Sequence, residues 1–514
     1  MTLLNLRVDW RTSIALVGTV IKWLAVPLLF PLAVGIFYGE PRAVISFGST
    51  IIIALIVGVG LERIQPDPDL NAREGFLMVA MTWLGVAIVG ALPYLLAGRG
   101  TIAMPVNALF ESMSGFTTTG ATVMGSISFE THSRAIMLWR QETQWLGGMG
   151  IVVLAVAILP ELSVGGAQLM DAEAPGPGIE KLTPRIAETA RALWRAYLGI
   201  TALEMLLLTG VHLAGLAPEM TVYNAVAHGF TTMATGGFSP EARSIEAFSA
   251  VVQWLIIPFM LAAGTNFALF WHLLNGDISQ FIEDAEFRFY IGIIGTLSAI
   301  GTVVLFLGGG LAGDPVVGPI TGNLEAAARH ALFQVVSIVT TTGYASLDFN
   351  TWAPPAQYLL LFAMFIGGSA GSTGGAIKIV RWLVIFKSIK RELFTTVHPE
   401  AVTPVRLGGT PLDERAIRGI YTFTLLYIAL FFLASLVVLL DATRTGLSIS
   451  ILEAMSAVAA TLGNVGPGFG IVGPMNNYLP FSRFSKLLMT GLMWIGRLEV
   501  LPVLVIFTRL YWQS

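Results

Sequence analysis

Ten apolar stretches, each long enough to cross a lipid bilayer as a helix, dominate this chain of 514 residues. A transmembrane helix needs about 20 mostly apolar residues. Charged residues form only 12% of the chain, whereas soluble proteins carry about 25%. The pattern therefore predicts an all-α polytopic membrane protein. The stretches are 12–38, 43–61, 74–97, 135–160, 191–216, 249–274, 288–311, 356–387, 415–440 and 484–511.

Four shorter segments lie between pairs of these stretches and are too short to span, so we interpret them as re-entrant helices. Each runs into a tract rich in Gly and Thr, and one glycine in each tract is taken as equivalent; these are the tract glycines. For the fourth tract, Gly463 is an alternative register. The segments are 105–116, 222–234, 326–340 and 448–462, and the tract glycines are Gly120, Gly237, Gly343 and Gly466.

This recurrence predicts an N-terminal pair of helices followed by four membrane-pore-membrane repeats. Lys and Arg are almost twice as frequent in one set of alternate loops as in the other. The positive-inside rule then places both termini in the cytoplasm and the four tracts toward the outside. The predicted parts are 1–66 for the helix pair and 67–165, 166–280, 281–395 and 396–514 for repeats 1 to 4.

The four tracts have a composition suited to binding a cation through backbone carbonyls. Irregular backbone at membrane depth is tolerated only inside protein or beside a water-filled cavity. Gly permits the positive φ that lets successive carbonyls point the same way, and four loops around one axis could replace an ion's hydration shell. The tracts contain no carboxylate, so K⁺ is the leading candidate. A tight turn between helices would explain one such tract but not four in register.

Two further features interrupt the apolar pattern. Residues 367–375, called here the glycine segment, break the stretch 356–387, because each Gly costs about 1 kcal/mol in a helix relative to Ala. A close-packed kink is the alternative explanation. Arg497 lies mid-span, where a charge costs at least about 2.5 kcal/mol, so it should face a pore or a partner. Pairing with Glu499 is disfavoured because residues two apart lie on different helix faces.

Other chemistry is poorly supported. The chain has no Cys, which excludes disulfides and thiolate metal sites. The six His lack metal-ligand spacing, and we expect His228 and His330 to be packed. No basic stretch suits nucleic acid, and no convergent acid, base or metal set predicts an enzyme. For Glu204, another mid-span charge, we expect a structural partner, and for Lys22 an inward-reaching side chain.

Several longer motifs occur in order along the chain beyond about residue 60. They are FESMSGFTTTGAT (110–122), QWLGGMGIVVLAVAILP (144–160), AEAPGP (172–177), LTPRIAETARALW (182–194), TTMATGGFS (231–239), AGTNFALF (263–270), TTTGY (340–344), GGSAGSTGGAIKIVR (367–381), HPEAV (398–402), ATLGNVGPGFG (460–470) and IGRLEVLPVL (495–504).

With these motifs the chain resembles the Trk/Ktr/HKT superfamily of potassium transporters, and within it the bacterial TrkH/TrkG subunits. The resemblance implies pseudo-four-fold symmetry around one ion pore and a homodimer in the bacterial inner membrane. It also implies a cytosolic TrkA-type regulatory partner that binds NAD or ATP, with K⁺ as the transported ion and no organic cofactor in this chain. The two residues before each tract glycine should supply K⁺-coordinating carbonyls: Thr118 and Thr119, Thr235 and Gly236, Thr341 and Thr342, and Asn464 and Val465.

The resemblance further implies that the glycine segment and Arg497 form a gate below the filter. Gly463 departs from the Asn expected there. Lys378 either lines the cavity or reaches inward, while Lys387, Lys390 and Arg391 are docking charges or a solvated face. The expected gate residues are Gly367, Gly368, Ser369, Ala370, Gly371, Ser372, Thr373, Gly374, Gly375, Lys378 and Arg497.

The competing hypothesis is a coupled carrier of small organic solutes, which would hold its substrate at broken helices near the midplane. Such carriers usually have inverted repeats, whereas these four units share one orientation. The sequence leaves open whether K⁺ moves passively or is coupled, as a symport, to Na⁺ or H⁺.

Overall fold

A computed structural model describes residues 8–64, 72–153, 186–274, 276–308 and 320–513. Residues 161–185 and the predicted boundaries at 66/67 and 165/166 lie outside these described ranges. Within them the chain is predominantly helical, as the apolar stretches predict. The other domain boundaries stay predictions.

Among the described residues, five helices are long and apolar enough to cross a membrane. A sixth span is possible if a helix pair with a sharp bend is counted as one. These observations confirm a multi-pass helical membrane protein. The five helices are α3 (Pro41–Glu62), α4 (Ala72–Ala97), α7 (Ile186–Leu213), α12 (Ala285–Phe306) and α16 (Glu414–Thr445).

The first predicted span, 12–38, is two helices rather than one. Helix α1 (Trp10–Trp23) ends before a run of turns, and α2 (Leu29–Phe37) begins after it. Pro27 lies within these turns, and proline cannot donate the backbone hydrogen bond that a continuous helix requires. The prediction of one uninterrupted helix was therefore wrong.

The N-terminal helices pack closely because glycines face each other. A Cβ atom added to Gly18 would lie 2.9 Å from the Gly58 carbonyl oxygen, so a side chain at Gly18 would collide with α3. Such small residues let membrane helices approach. Nearby, Lys22 forms an ion pair with Glu62 at 2.6 Å. The ammonium of Lys22 is therefore paired with the carboxylate at the end of α3.

Four short helices occupy the positions predicted for re-entrant segments, with bounds within three residues, and we call them pore helices. Local sequence explains several starts. Pro105 begins the first, and the side chains of Thr221 and Asn323 accept a backbone N–H at the second and third. The fourth opens with a capping box between Ser450 and Glu453. The pore helices are α5 (Pro105–Phe116), α8 (Val222–Met233), α13 (Leu324–Val339) and α17 (Ile451–Leu462).

The helices that follow the second, third and fourth pore helices are all broken. The first pair bends by 100° around 264–266, and the second is separated by the glycine segment. In the third, Glu499 and Val500 have positive φ. The sequence predicted only the middle break. The pairs are α9 (Ala250–Ala263) with α10 (Phe267–Leu274), α14 (Pro354–Ala363) with α15 (Ile379–Val397), and α18 (Arg483–Arg497) with α19 (Leu501–Ile506).

The remaining elements complete the bundle. A hairpin of two short antiparallel strands pairs Arg406 with Pro411 and Leu407 with Thr410. The pore helices lie in the interior of the bundle, where most of their residues are buried. The remaining helices and strands are α6 (Arg134–Val153), α11 (Ile278–Glu283), α20 (Arg509–Gln513), β1 (Arg406–Leu407) and β2 (Thr410–Pro411).

Candidate ion pathway

All four pore helices end in the same backbone turn. In each, the residue before the tract glycine donates its N–H to the carbonyl five residues earlier, over 2.8–2.9 Å. These bonds satisfy carbonyls that a helix end leaves unpaired. The pairs are Thr119 with Ser114, Gly236 with Thr231, Thr342 with Ser337, and Val465 with Ala460.

Two positions in every tract have left-handed backbone, namely the tract glycine and the residue two before it. The latter is never glycine, although β-branched residues rarely adopt this conformation. Each such residue costs about 1–3 kcal/mol and persists only where its surroundings hold it. At the position two residues before the tract glycine, φ is 52° for Thr118, 51° for Thr235, 59° for Thr341 and 54° for Asn464.

This match identifies Gly466 as the equivalent glycine in the fourth tract. Its φ is +101°, whereas Gly463 has a φ of −82° and forms the C-cap of α17. The alternative register is therefore excluded. The Gly463 carbonyl instead accepts a hydrogen bond from the Ala376 N–H at 2.9 Å.

The tracts meet in a closed ring. A Cβ atom added to any tract glycine would lie under 3.0 Å from a carbonyl oxygen of the next tract, too close for any side chain. In each case that oxygen belongs to the residue just before the neighbour's tract glycine. The order is Gly120 to Gly236, Gly237 to Thr342, Gly343 to Val465, and Gly466 back to Thr119.

The ring brings together all eight residues predicted to bind K⁺, and each of them is buried. Hydroxyl groups connect positions within two tracts, because Thr117 and Thr119 share a hydrogen bond of 2.8 Å, as do Thr340 and Thr342. The Asn464 amide donates to the Thr119 hydroxyl at 2.9 Å. The fourth and first tracts are thus joined through side chains as well as through packing.

The four tract glycines also line an open vestibule of about 310 Å³. Beside it, Arg140 forms a buried ion pair with Glu111 at 2.6 Å and donates to the Ser239 carbonyl at 3.0 Å. Glu111 accepts hydrogen bonds from Thr122 and from the Val123 N–H. The ion pair therefore links the residues that follow the first tract glycine to those that follow the second.

The glycine segment packs against the ends of three pore helices. Its backbone also bonds to the break between α9 and α10. The Ser369 N–H donates to the Gly264 carbonyl at 2.8 Å, and the Gly371 carbonyl accepts from the Phe267 N–H at 3.1 Å. Three hydrogen bonds reach the pore-helix ends. The Thr373 hydroxyl donates to the Met233 carbonyl at 3.2 Å, and the Gly375 N–H donates to the Thr341 hydroxyl at 2.7 Å. The N–H of Ala376, the residue just after the segment, donates to the Gly463 carbonyl at 2.9 Å.

Both cations predicted near the gate contact the glycine segment directly. Arg497 is buried and donates to the Thr373 carbonyl at 2.7 Å, and Lys378 is buried and donates to the Gly374 carbonyl at 2.5 Å. Lys378 is therefore packed against the glycine segment, which it directly follows. Glu499 pairs with Arg381 at 2.6 Å rather than with Arg497, as expected, although Glu499 lies in the break after α18 and the helix-face argument therefore does not apply.

Comparisons with known proteins agree with this architecture. The family model described as TrkH, a cation transport protein, matches residues 42–513. The chain is 38% identical to the Trk system potassium uptake protein TrkH of Escherichia coli, covering 98% of this chain and 100% of that protein. It is 33% identical to TrkG of the same species, covering 96% of each. The chain belongs to the TrkH family.

A solved structure extends this to the fold. The crystal structure of the potassium transporter TrkH from Vibrio parahaemolyticus superposes with a TM-score of 0.84 at 34% identity, covering 98% of this chain and all of that one. The resemblance drawn from the motifs is therefore confirmed. The TrkH family consists of transport proteins, not enzymes.

Sequence reasoning missed several buried polar residues around the ring of tracts. Glu111 and Arg140 were not singled out, and neither was Gln144, whose amide contacts the second tract. Each is a polar residue in a segment predicted to lie within the membrane, which is the signal that could have identified them. Gly264 was also missed, although an added Cβ there would meet Thr340 and Tyr290 under 3.0 Å.

The expected packing roles of the histidines agree with their contacts. His228 contacts the Asn224 carbonyl at 2.7 Å and the Ser239 hydroxyl at 3.0 Å, and His330 contacts Ser346 at 2.9 Å. Within the described ranges no cluster of three or more His, Asp or Glu could hold a metal ion. Glu204 is buried near Thr232 of the second pore helix. It forms no ion pair with any residue that the structure describes.

Proposed function

We propose that this protein takes up K⁺ across the bacterial inner membrane through a carbonyl-lined filter formed by the four tracts. The observation that carries the proposal is the closed ring, in which each tract glycine lies against the carbonyl oxygen of the residue just before the next tract glycine. Backbone carbonyls in such a ring replace the hydration shell of a monovalent cation. The relatives named as potassium uptake proteins support K⁺ as the ion.

In this proposal the ion enters from the vestibule and loses water between the carbonyls of the eight predicted residues. The pore helices direct the negative ends of their dipoles toward the path, which also favours a cation. The ion then reaches the glycine segment, where the bound Arg497 guanidinium opposes its passage. Opening requires this segment to leave its contacts with the pore-helix ends.

The proposal includes four repeats related by pseudo-four-fold symmetry, because the tracts share backbone angles, hydrogen bonds and cyclic contacts. It also includes a homodimer with cytoplasmic termini and a cytosolic TrkA-type partner that binds NAD or ATP and controls the gate. These features follow from the family and from the distribution of Lys and Arg.

Uptake of ⁸⁶Rb⁺ into proteoliposomes tests the proposal. We expect uptake that K⁺ competes away and that a panel of organic solutes does not. Repeating the assay with imposed proton and sodium gradients separates passive flux from symport. Protein that binds an organic solute and moves no ⁸⁶Rb⁺ would support the carrier hypothesis instead.

A further inference from the structure

The second tract differs from the other three at the position just before its tract glycine. The first, third and fourth tracts carry Thr119, Thr342 and Val465 there, whereas the second carries Gly236. The φ of Gly236 lies outside the left-handed region, so its backbone conformation would accept any residue. The reason for glycine must therefore be space.

Gln144 of α6 occupies that space. A Cβ atom added to Gly236 would lie under 3.0 Å from the side-chain Cδ, Oε1 and Nε2 atoms of Gln144. The Gln144 side chain is fully buried. A residue of another helix thus fills the place that the tract's own side chain fills in the other three repeats.

The Gln144 amide bonds to the tract on both sides. Its Nε2 donates to the Gly236 carbonyl at 2.6 Å, and its Oε1 accepts the Phe238 N–H at 3.0 Å. The second bond fixes which end of the amide is oxygen, because only an acceptor can face an N–H. The nitrogen must then face Gly236.

We propose that Gln144 is a positioning residue for ion selectivity, which sets the direction of the Gly236 carbonyl within the ring. A carbonyl oxygen has two lone pairs, so it accepts from Gln144 and still offers one to the ion. In the first and third tracts, hydrogen bonds between Thr hydroxyls stiffen the backbone from within. In the second tract the same constraint comes from outside. This inference rests on the proposed function.

The test uses the full-length protein in proteoliposomes and measures the ratio of ⁸⁶Rb⁺ to ²²Na⁺ uptake. Gln144→Leu keeps the volume and loses both hydrogen bonds, so we expect the ratio to fall about three- to ten-fold, the effect of one or two such bonds. Gln141→Leu is the matched control. Gln141 lies on the same helix, is buried, and makes no side-chain hydrogen bond to the described residues.

An unchanged ratio in folded Gln144→Leu protein would overturn the inference, as would an equal loss in Gln141→Leu. Wild-type protein that takes up no ⁸⁶Rb⁺ would instead overturn the proposed function, and the inference with it.

Thermal unfolding gives a second test of the inference, one that requires neither ion flux nor a stable Gln144→Leu protein. Gly236→Ala should lower the melting temperature, because the new methyl group collides with Gln144. Adding Gln144→Ala should restore part of that loss by vacating the space. A double variant no more stable than Gly236→Ala would show that Gln144 does not occupy the side-chain position of the second tract, and would overturn the inference.

Discussion

At Gly343 the lack of a side chain is a steric requirement twice over. Its φ is +76°, and an added Cβ would meet both the Val465 carbonyl and the Pro467 ring under 3.0 Å. Any substitution must move the very carbonyl that the proposed filter uses. The effect should therefore appear in ion selectivity before it appears in folding.

Gly343→Ser should lower the ratio of K⁺ to Na⁺ uptake by about ten-fold, equivalent to about 1.4 kcal/mol of discrimination. Proteoliposome uptake of the two ions measures it. Gly292→Ser is the control, because Gly292 faces open space on α12. Wild-type selectivity in Gly343→Ser would argue against the filter.

His132 lies in the loop after the first tract and is buried. Burial, together with the charges of Arg140 and Arg99, lowers its pKa from 6.5 to about 4. Between these two pH values the unfolded chain binds a proton that the folded protein does not, so stability declines as pH falls through this window. Above pH 6.5 this residue contributes nothing to the pH dependence of stability.

Thermal unfolding at several pH values should therefore reveal a smaller loss of stability below pH 6.5 in His132→Phe than in the wild type. His398→Phe, at an exposed histidine, should retain the wild-type pH dependence. Identical curves for the wild type and His132→Phe would refute the assignment.

At the scale of elements, the glycine segment differs from an ordinary loop because it and the adjacent Ala376 are hydrogen-bonded to three pore-helix ends, and its Thr373 carbonyl is bonded to Arg497. Removing residues 369–371 shortens it and breaks its bond to Gly264. In the proposed function this lowers the barrier below the filter.

We expect this deletion to raise partner-free K⁺ flux by about ten-fold, the factor that about 1.4 kcal/mol of barrier represents. Stopped-flow or ⁸⁶Rb⁺ flux in liposomes measures the rate. Deleting Gly408 and Gly409 from the turn between β1 and β2 is the control, since both face open space. Equal flux in the two deletions would remove the gate assignment.

The elements also indicate what sequence can predict. The pore helices were predictable because short apolar segments recur before Gly- and Thr-rich tracts. The bend at 264–266 was not, because one Gly and two small polar residues break a helix only when tertiary contacts, such as the Gly264 carbonyl with Ser369, accept the freed backbone groups. The partner of Glu499 was equally hidden, since Arg381 lies 118 residues away.

At the scale of the whole molecule, all four sides of the ring come from one chain. The fourth tract closes on the first through Asn464 and Thr119, and nearby the ammonium of Lys486 donates to the Asn107 side chain at 3.0 Å. A dimer of such chains would hold two independent ion paths.

Mixed dimers of wild-type and Gly343→Ser chains, isolated with two affinity tags, should therefore have K⁺ and Na⁺ uptake rates midway between those of the two parents. Single-ion uptake in proteoliposomes measures this. Selectivity as poor as that of the pure variant would mean that the two chains share one filter.

The ring of glycines against carbonyls has a consequence for chimeric proteins. Each tract forms a seam with the tract before it and another with the tract after it, and at every seam a glycine lies directly against a carbonyl oxygen. Transplanting a single tract from a relative replaces one surface of two seams at once. Exchanging all four tracts together keeps every seam between surfaces from the same parent. Chimeras that carry all four tracts of a relative should therefore fold where chimeras with a single exchanged tract fail.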